Sequence, residues 1–378
     1  MAQYGVPIPR SGIATTGEEA KHIALDMGKK VAVKAQVYTG GRGKAGGIKV
    51  AGTPDEAEAC AEQLLGTRLV THQTTEKGVP VEKVLVEEAV DVGRELYLSI
   101  VTDSSSRKPV IIASPAGGMD IEEIARVSPG KIIKEHIDPA LGFWPYIGTK
   151  LAYKLELKQD RVRPFANLLA GLYRLYMEKD CSMAEINPLV VTRAGNLIAL
   201  DAKLSFDDNA LFRHSDIAQM RDVKQEDKLE VEASNLGVQN YVKMDGNIGC
   251  MVNGAGLSMA VMDLITQAGG TPANFLDIGT VNNTERVVNA FKIFASDPDV
   301  KAILVNIFGG MARVDVIAEG IKEACHTMDI SIPMVVRLAG TNVAEGKKIL
   351  KESGVNYIEA TGFLDAARKA VEAAGGAA

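Results

Sequence analysis

The chain has 378 residues, too many for one hydrophobic core, so its length predicts two or three domains. Hydrophobic residues make up 46% and charged residues 24%, as in globular proteins, and a net charge of −6 without basic runs disfavours nucleic-acid binding. We find no apolar run of membrane-spanning length and no signal-peptide layout. Because the four cysteines form no CxxC pair, we expect a cytoplasmic protein with reduced thiols and no zinc site.

The first part of the chain, up to residue 225, mixes short strands, glycine-rich loops and helices. The capping box Thr53-Pro54-Asp55-Glu56 predicts the start of a helix, and Gly66 predicts its end. Residues 95–114 have the pattern of two strands around a polar turn, and residues 160–179 have that of an amphipathic helix. These features predict a mixed domain over residues 1–225.

The second part of the chain has a regular alternation of apolar strands and helices. A charged, weakly patterned stretch precedes it, from which we predict a linker over residues 226–245. Continuous apolar strands alternating with helices predict an α/β fold with a doubly wound parallel sheet over 246–378, whose ligands lie beyond the carboxyl ends of the strands. The predicted strands are 248–252, 273–278, 302–307, 334–338 and 357–360.

A glycine-rich loop, TGGRGKAGG from Thr39 to Gly47, follows the short strand 31–34. Its glycines allow backbone N–H groups to approach a ligand, and Arg42 and Lys44 favour an anion such as a phosphate chain. The spacing is not that of a P-loop, because Gly43-Lys44 is followed by Ala45. The alternative interpretation is an exposed basic hairpin without a ligand.

A polar hairpin is predicted from AEINPLVV (184–191) and LIALDAK (197–203), which flank a turn centred on Ala194. That centre puts Asn187 opposite Asp201. Period-two alternation then puts Glu185, Asn187, Asp201 and Lys203 on one face, which the apolar residues 189, 191, 197 and 199 continue. Facing carboxylate and amide oxygens suit Mg²⁺ held between the protein and nucleotide phosphates, and a solvated hairpin end is the alternative. Pro188 requires an edge or a bulge.

Two glycine turns in the second part of the chain each join a strand to a helix. Residues 252–257, VNGAGL, resemble half of a dinucleotide fingerprint, with Asp277 where a ribose-binding acid belongs, so an NAD-dependent dehydrogenase is a rival interpretation. Residues 307–313, IFGGMAR, provide free N–H groups before a helix and predict an anion site. In both turns the glycines have an alternative, purely structural explanation.

No placed nucleophile accompanies these motifs. The histidines fall outside the glycine-rich turns and the polar hairpin, and no serine or cysteine nucleophile motif is present. A group-transfer enzyme with this sequence therefore needs a covalent carrier from elsewhere. The histidines are His22, His72, His136, His214 and His326.

Together these segments closely resemble the β subunits of succinyl-CoA synthetases, over residues 4–364. The stretches that match are VAVKAQVYTGGRGKAGGIKV, LVEEAVDVGRELYL, AEINPLVVT, LDAK, DDNALFR, DGNIGCMVNGAGL, PANFLDIG and KAILVNIFGG. The resemblance implies an ATP-grasp domain followed by a flavodoxin-like ligase domain. It also implies reversible, NTP-coupled succinyl-CoA formation in the tricarboxylic acid cycle.

The resemblance also implies cofactors, partners and residue roles. The phosphoryl carrier would be a histidine of an α subunit, which would also bind most of CoA, and the nucleotide would be ATP/ADP or GTP/GDP with Mg²⁺. Glu185 and Arg42 would be catalytic, Asn187 and Asp201 would bind the metal, and Glu185 would orient the visiting phosphohistidine. Nucleotide-binding positions would be Lys34, Gly41, Arg42, Gly43, Glu87, Val90 and Glu95. Substrate and phosphate contacts would come from Asn253, Gly310, Met311 and Ala312.

Some positions depart from the family pattern. The family commonly begins with one more helix, so we expect that N-terminal helix to be absent. Thr280-Val281-Asn282-Asn283 replaces a glycine-rich turn, and Tyr38 stands where histidine is frequent. These departures leave succinate or malate as the acid, ATP or GTP as the nucleotide, and αβ or α2β2 assembly open. An inactive regulatory subunit is a further alternative, which the presence of Lys34, Glu185, Asn187 and Asp201 argues against.

Overall fold

The computed structural model describes residues 1–71, 74–238, 240–280, 283–328 and 330–375. The chain divides into two compact units, Met1–Arg221 and Asp222–Ala378. Within the described ranges, no helix combines the length and the apolar character needed to span a bilayer.

In the described residues, the first unit contains two larger antiparallel sheets, a two-stranded sheet of Arg68–Leu69 and Val79–Pro80, and the helices that pack on them. Its strands are β1 (Ser11–Ala14), β2 (Val31–Ala35), β3 (Ile48–Ala51), β4 (Arg68–Leu69), β5 (Val79–Pro80), β6 (Val84–Glu88), β7 (Val92–Asp103), β8 (Lys108–Ser114), β9 (Ile133–His136), β10 (Cys181–Thr192), β11 (Leu197–Ala199) and β12 (Ala202–Phe206). Its helices are α1 (Gly17–Met27), α2 (Pro54–Leu64), α3 (Ile121–Val127), α4 (Pro145–Lys154), α5 (Gln159–Glu178) and α6 (Ser215–Ala218), with 3-10 turns at Ala2–Tyr4, Pro129–Lys131 and Asp208–Arg213.

The smaller sheet has the strand order β1-β6-β2-β3 and is covered by α1 and α2. The predicted capping box begins α2: the Thr53 side chain accepts a hydrogen bond from the Glu56 N–H at 3.2 Å, and Glu56 accepts one from the Gly52 N–H at 2.6 Å. Gly66 follows the helix with φ 75°, as predicted. Alanines on both helices pack against valines of β2 and β6, which forms the core of this sheet.

The larger sheet has the order β11-β10-β7-β8-β9, and β12 also pairs with β10. The predicted amphipathic helix is α5, whose buried face includes Phe165, Leu169 and Leu172. These side chains pack with Leu96 and Leu98 of β7. The core of the larger sheet therefore supports the strand pair β7 and β10 from one side.

The second unit is built around a parallel sheet. Its strands are β13 (Tyr241–Lys243), β14 (Ile248–Val252), β15 (Asn274–Leu276), β16 (Ala302–Gly309), β17 (Met334–Gly340) and β18 (Ile358–Glu359). Its helices are α7 (Lys228–Asn235), α8 (Ala255–Gln267), α9 (Glu285–Ser296), α10 (Val314–Thr327), α11 (Val343–Glu352) and α12 (Phe363–Ala373), with a 3-10 turn at Val223–Gln225.

The sheet order β14-β16-β17-β18 is parallel throughout and confirms the doubly wound prediction. Alternate residues of each strand point to opposite faces. In β16, Ile303 and Val305 join a core formed with α9, α10 and α11, whereas Leu304 joins a core formed with α8 and α12. Both faces of the sheet are thus covered by helices, which leaves the carboxyl ends of the strands as the place for a site.

Two predictions about this unit were wrong. The predicted strand 273–278 is the shorter β15, which pairs antiparallel with β13, while the residues on either side of β15 form isolated parallel bridges to β14. The predicted linker 226–245 instead holds α7 and β13, and Ala233 and Tyr241 are buried in the core of the unit. The charged residues of α7 obscure its periodicity, although Asp227 caps it by accepting from the Leu229 N–H at 2.8 Å.

Candidate active site

The glycine-rich loop joins β2 to β3 and is held by its own backbone. The Gly47 N–H donates to the Arg42 carbonyl at 2.8 Å, and the Ala45 N–H donates to the Gly41 carbonyl at 3.2 Å. Gly41 has φ 74°, a conformation that favours glycine, while Gly43 is exposed. The loop is therefore a defined turn that presents Arg42 on its inner side.

A buried ion pair joins Lys34 of β2 to Glu87 of β6. The two residues are only 5% and 3% exposed, and the Lys34 ammonium also donates to the Leu200 carbonyl at 3.1 Å. Burial raises the pKa of the Glu87 carboxyl, while the Lys34 charge acts in the opposite direction. The Lys34 ammonium is thus held between the Glu87 carboxylate and the carbonyl of Leu200, the residue before Asp201.

Arg42 bridges the glycine-rich loop to the polar hairpin. Its Nη2 donates to both carboxylate oxygens of Asp201 at 2.8 Å, and its Nη1 donates to the Ala35 carbonyl at 3.0 Å. The Arg42 side chain is 15% exposed and that of Asp201 41%. Two cations, Lys34 and Arg42, therefore meet at the hairpin residues 200 and 201.

The register of the hairpin agrees with the prediction. Leu189 pairs with Ala199 and Ile186 with Ala202, so Asn187 and Asp201 are in register, and the Asn187 N–H donates to the Asp201 carbonyl at 3.0 Å. This pairing rests on the turn at Gly195, which has φ 94°. The turn centre inferred from the sequence was therefore correct.

The prediction that the polar and apolar residues share one face was wrong. Ala184 and Ile186 point into the same core as Leu189 and Val191, so the alternation changes phase between them. The cause is a bulge against β7, where the paired position shifts by one residue between Ile186 and Leu189. This is the bulge that Pro188 requires.

Glu185, Asn187 and Glu95 lie along β10 and β7. The Tyr97 hydroxyl donates to the Glu185 carboxylate at 2.9 Å. The Asn187 amide accepts from the Gly118 N–H at 2.8 Å and donates to the Met119 carbonyl at 2.9 Å.

The backbone at Gly118 lies close to the Glu95 carboxylate and leaves no room for a side chain at position 118. A Cβ at Gly118 would lie 2.5 Å from Glu95 Oε2, and the φ of 70° also favours glycine there. The loop 117–119, Tyr97 and the Leu200 carbonyl were not identified from the sequence. The predicted pocket residue Val90 is half-buried between β6 and β7.

The oxygen atoms of Asp201 and Asn187 fit Mg²⁺ in their chemistry. Mg²⁺ binds through one or two side-chain oxygens and completes its shell with phosphates and water. Both side chains are hydrogen-bonded to protein donors in this conformation, Asp201 to Arg42 and Asn187 to Gly118. The described residues contain no group of three or more His, Cys, Asp or Glu side chains that could hold a metal without such additional ligands.

The described histidines have partners away from these residues. His22 faces Glu18, His136 faces Asp103, His214 faces Asp180, and His326 contacts the Ser353 carbonyl. His72 lies outside the described residues. None of the described histidines therefore stands beside Arg42 or Asp201 as a phosphoryl acceptor.

In the second unit, a cavity of about 520 Å³ opens at the carboxyl ends of β14 and β16. Asn253 closes one side, because its amide donates to the Phe308 carbonyl and accepts from the Phe308 N–H, each at 2.8 Å. Val281 and Asn282, predicted to alter this centre, fall outside the described residues. The lining residues are Asn253, Gly254, Leu257, Gly279, Thr280, Phe308, Gly310, Met311, Ala312 and Phe363.

Asp277 stabilises the glycine turn that resembled a dinucleotide fingerprint. One carboxylate oxygen accepts from the Gly254 N–H at 2.5 Å and from the Gly279 N–H at 2.8 Å. The acid expected to bind a ribose therefore already serves two backbone donors of its own chain. This removes the main support for the dehydrogenase interpretation.

The two glycines of the predicted anion turn differ. A Cβ at Gly309 would lie 2.7 Å from Val314 Cγ2 and 2.9 Å from the Thr341 backbone, whereas a Cβ at Gly310 would meet nothing within 4 Å. Met311 is 83% exposed, and Ala312 is buried. Gly309 is thus required for packing, while Gly310 faces open space in the cavity.

Comparisons with known proteins give the class. The sequence matches the ATP-grasp domain family over residues 1–191 and the CoA-ligase family over residues 251–371. It also resembles the fold of ATP citrate lyase from Methanothrix soehngenii, with a TM-score of 0.76 at 19% identity, covering 96% of this chain and 92% of that one. The two family matches define a ligase chain in which an ATP-grasp domain precedes a CoA-ligase domain.

Closer relatives give the family. The β subunit of ADP-forming succinate–CoA ligase from a Nitratiruptor species is 52% identical over 376 residues, which are 99% of this chain and 96% of that protein. The protein of the same name from Aquifex aeolicus is 53% identical over 375 residues, with the same coverage. The chain belongs to the family of succinate–CoA ligase β subunits.

Proposed function

We propose that this chain is the β subunit of an ADP-forming succinate–CoA ligase. It would bind ATP with Mg²⁺ and exchange the γ-phosphoryl group with a histidine of an α subunit. In the forward direction it would support succinyl-CoA formation. The observation that carries the proposal is the meeting of Lys34, Arg42 and Asp201 beside the glycine-rich loop. Malate is not favoured as the acid, because the relatives are named for succinate.

The ATP-grasp domain would hold the nucleotide. Lys34, Arg42 and the backbone of Gly41 and Gly43 would neutralise and position its phosphates. The Arg42–Asp201 pair would open when phosphate oxygens take the guanidinium, which would free the Asp201 oxygens. The other pocket positions would be Glu87, Val90 and Glu95.

Asp201 and Asn187 are the residues that would hold Mg²⁺. The ion would supply charge neutralisation at the transferring phosphoryl group. Glu185, held by the Tyr97 hydroxyl, would orient the incoming phosphohistidine of the α subunit. The described histidines of this chain have other partners, which supports a carrier on a second subunit.

The CoA-ligase domain would present the phosphoryl group to the acid. The turn Gly310-Met311-Ala312 would contact phosphate and acid ahead of α10, and its Gly310 N–H would have to leave the Phe308 carbonyl, to which it donates at 3.0 Å. Asn253 would shape the opposite wall. CoA would be bound mainly by the α subunit. The domain division would follow the two compact units, an ATP-grasp domain over Met1–Arg221 and a ligase domain over Asp222–Ala378, in a cytoplasmic enzyme of the tricarboxylic acid cycle.

The direct test of the nucleotide site is phosphorylation of a co-expressed α subunit by labelled ATP. We expect Arg42→Gln to lower the rate by about 100-fold, since Arg42 would act on charge that develops in the transition state. The matched control is Arg193→Gln, because Arg193 is an exposed guanidinium 3.4 Å from Asp91 in the same unit. Equal rates for the two variants would overturn the assignment of Arg42.

A further inference from the structure

Among the described residues of the ligase domain, the buried guanidinium of Arg337 has no carboxylate partner. Arg337 of β17 is only 9% exposed, and its Nε has no hydrogen-bond partner among the described residues. Burial lowers the pKa of Arg337, but an arginine stays protonated at neutral pH. An unpaired buried cation is costly unless an anion joins it, so Arg337 is a candidate for binding one.

Asn306 of β16 is the register partner of Arg337 and is 1% exposed. Its Oδ1 accepts a long hydrogen bond from Arg337 Nη1 at 3.4 Å, and its Nδ2 has no partner in the described part of the chain. Adjacent side chains thus offer two buried N–H donors without acceptors, one of them cationic. This is the donor set that a carboxylate takes.

Phe363 at the start of α12 lies over the guanidinium of Arg337. The Arg337 Cζ lies 4.1 Å from the centre of the Phe363 ring, and the same ring lines the cavity. Phe363 is 39% exposed, so its ring has solvent on one side. A rotation of this side chain would open the guanidinium to the cavity that holds the Gly310 turn.

We propose that Arg337 and Asn306 bind one carboxylate of the dicarboxylic acid, after the Phe363 ring turns aside, while the other carboxylate reacts at the Gly310 turn. The inference rests on the proposed function, in which the acid reacts at the Gly310 turn; we call this place the acid station. Succinate carries two carboxylates, and only one of them is activated. The second carboxylate needs a charged partner, and Arg337 is placed to provide it.

The test compares two acids with the assembled enzyme. Arg337→Met replaces a buried ion by an apolar side chain of similar length, a change that folded proteins often tolerate. We expect kcat/KM for succinate to fall by at least about ten-fold, with little change for butyrate, which lacks the second carboxylate. The control is Arg368→Met on the exposed side of α12, which removes the same charge and should leave the succinate-to-butyrate ratio unchanged.

An unchanged succinate-to-butyrate ratio of kcat/KM in folded Arg337→Met would overturn the inference, whether both values stay at the wild-type level or fall equally. An equal fall for both acids would indicate a structural role. If Arg337→Met does not fold, Phe363→Ala provides a second test. This substitution uncovers the guanidinium, so the KM for succinate should stay the same or fall. A rise in the KM for succinate would contradict the inference. Gly310→Val tests the acid station separately. If it is fully active while Arg337→Met loses the preference, the proposed station is wrong and the Arg337 assignment stands.

Discussion

The glycines at 309 and 310 provide a sharp test because neighbouring positions should fail in different ways. Gly309→Ala puts a Cβ 2.7 Å from Val314 Cγ2 and 2.9 Å from the Thr341 backbone, so the chain must shift. Overpacking of this kind costs about 1–3 kcal/mol. Gly310→Val points into open space and needs no left-handed backbone. Its stability should therefore change by less than about 0.5 kcal/mol.

Activity should show the opposite order. The valine side chain introduced by Gly310→Val would occupy the acid station, and displacing a reacting group by about 1 Å can cost about 100-fold in rate. We expect that loss in succinyl-CoA formation by the assembled enzyme, with ATP affinity by calorimetry unchanged. Urea unfolding and turnover of both variants check the two effects. Full activity of Gly310→Val, or its unfolding, would refute the reasoning.

Three further predictions follow from contacts in the ATP-grasp and ligase domains. Asp201→Asn should abolish phosphorylation of the α subunit by ATP while circular dichroism shows an unchanged fold, and a wild-type rate would exclude Asp201 as a metal ligand. Burial raises the folded-state pKa of Glu87, so the free energy of unfolding should fall as the pH rises from the ordinary carboxyl range through that raised pKa. In urea titrations, Glu87→Gln should show a weaker dependence of the unfolding free energy on pH. Iodoacetamide at pH 8 should modify the partly exposed Cys60 well before Cys250, because burial raises the pKa of Cys250 to about 12. Mass spectrometry follows the alkylation of each cysteine, and earlier modification of Cys250 would contradict this prediction.

Local patterns predicted much of the secondary structure. The capping box at Thr53 and the turn at Gly195 depend on residues within a few positions of each other. The parallel strands from Ile248 onward are apolar throughout because both faces of the sheet are covered. Signals of this kind are contained in the sequence of each element.

Features that depend on distant contacts were missed. The phase change beside Pro188 arises from pairing with β7, and no pattern within β10 reveals it. The bond between Arg42 and Asp201 spans 159 positions, and that between Lys34 and the Leu200 carbonyl spans 166. The family resemblance pointed to most of these residues, but the sequence did not predict which of them are hydrogen-bonded to each other.

The unpaired donors of Arg337 and Asn306 illustrate the same limit. Each residue lies in an apolar strand, where a sequence pattern suggests only core packing. Their pairing across β16 and β17, and the Phe363 ring above them, come from three separate elements. Only the assembled sheet brings these two donors together below the cavity.

The most direct measurement is acyl-CoA synthesis by the chain with and without a co-purified α subunit, given succinate, CoA, Mg²⁺ and ATP. We expect the chain alone to bind ATP but to make no succinyl-CoA, since no described histidine stands beside Arg42 and Asp201. The assembled enzyme should make succinyl-CoA and ADP in equal amounts. Robust synthesis by the chain alone, or none by the assembled enzyme, would contradict the account.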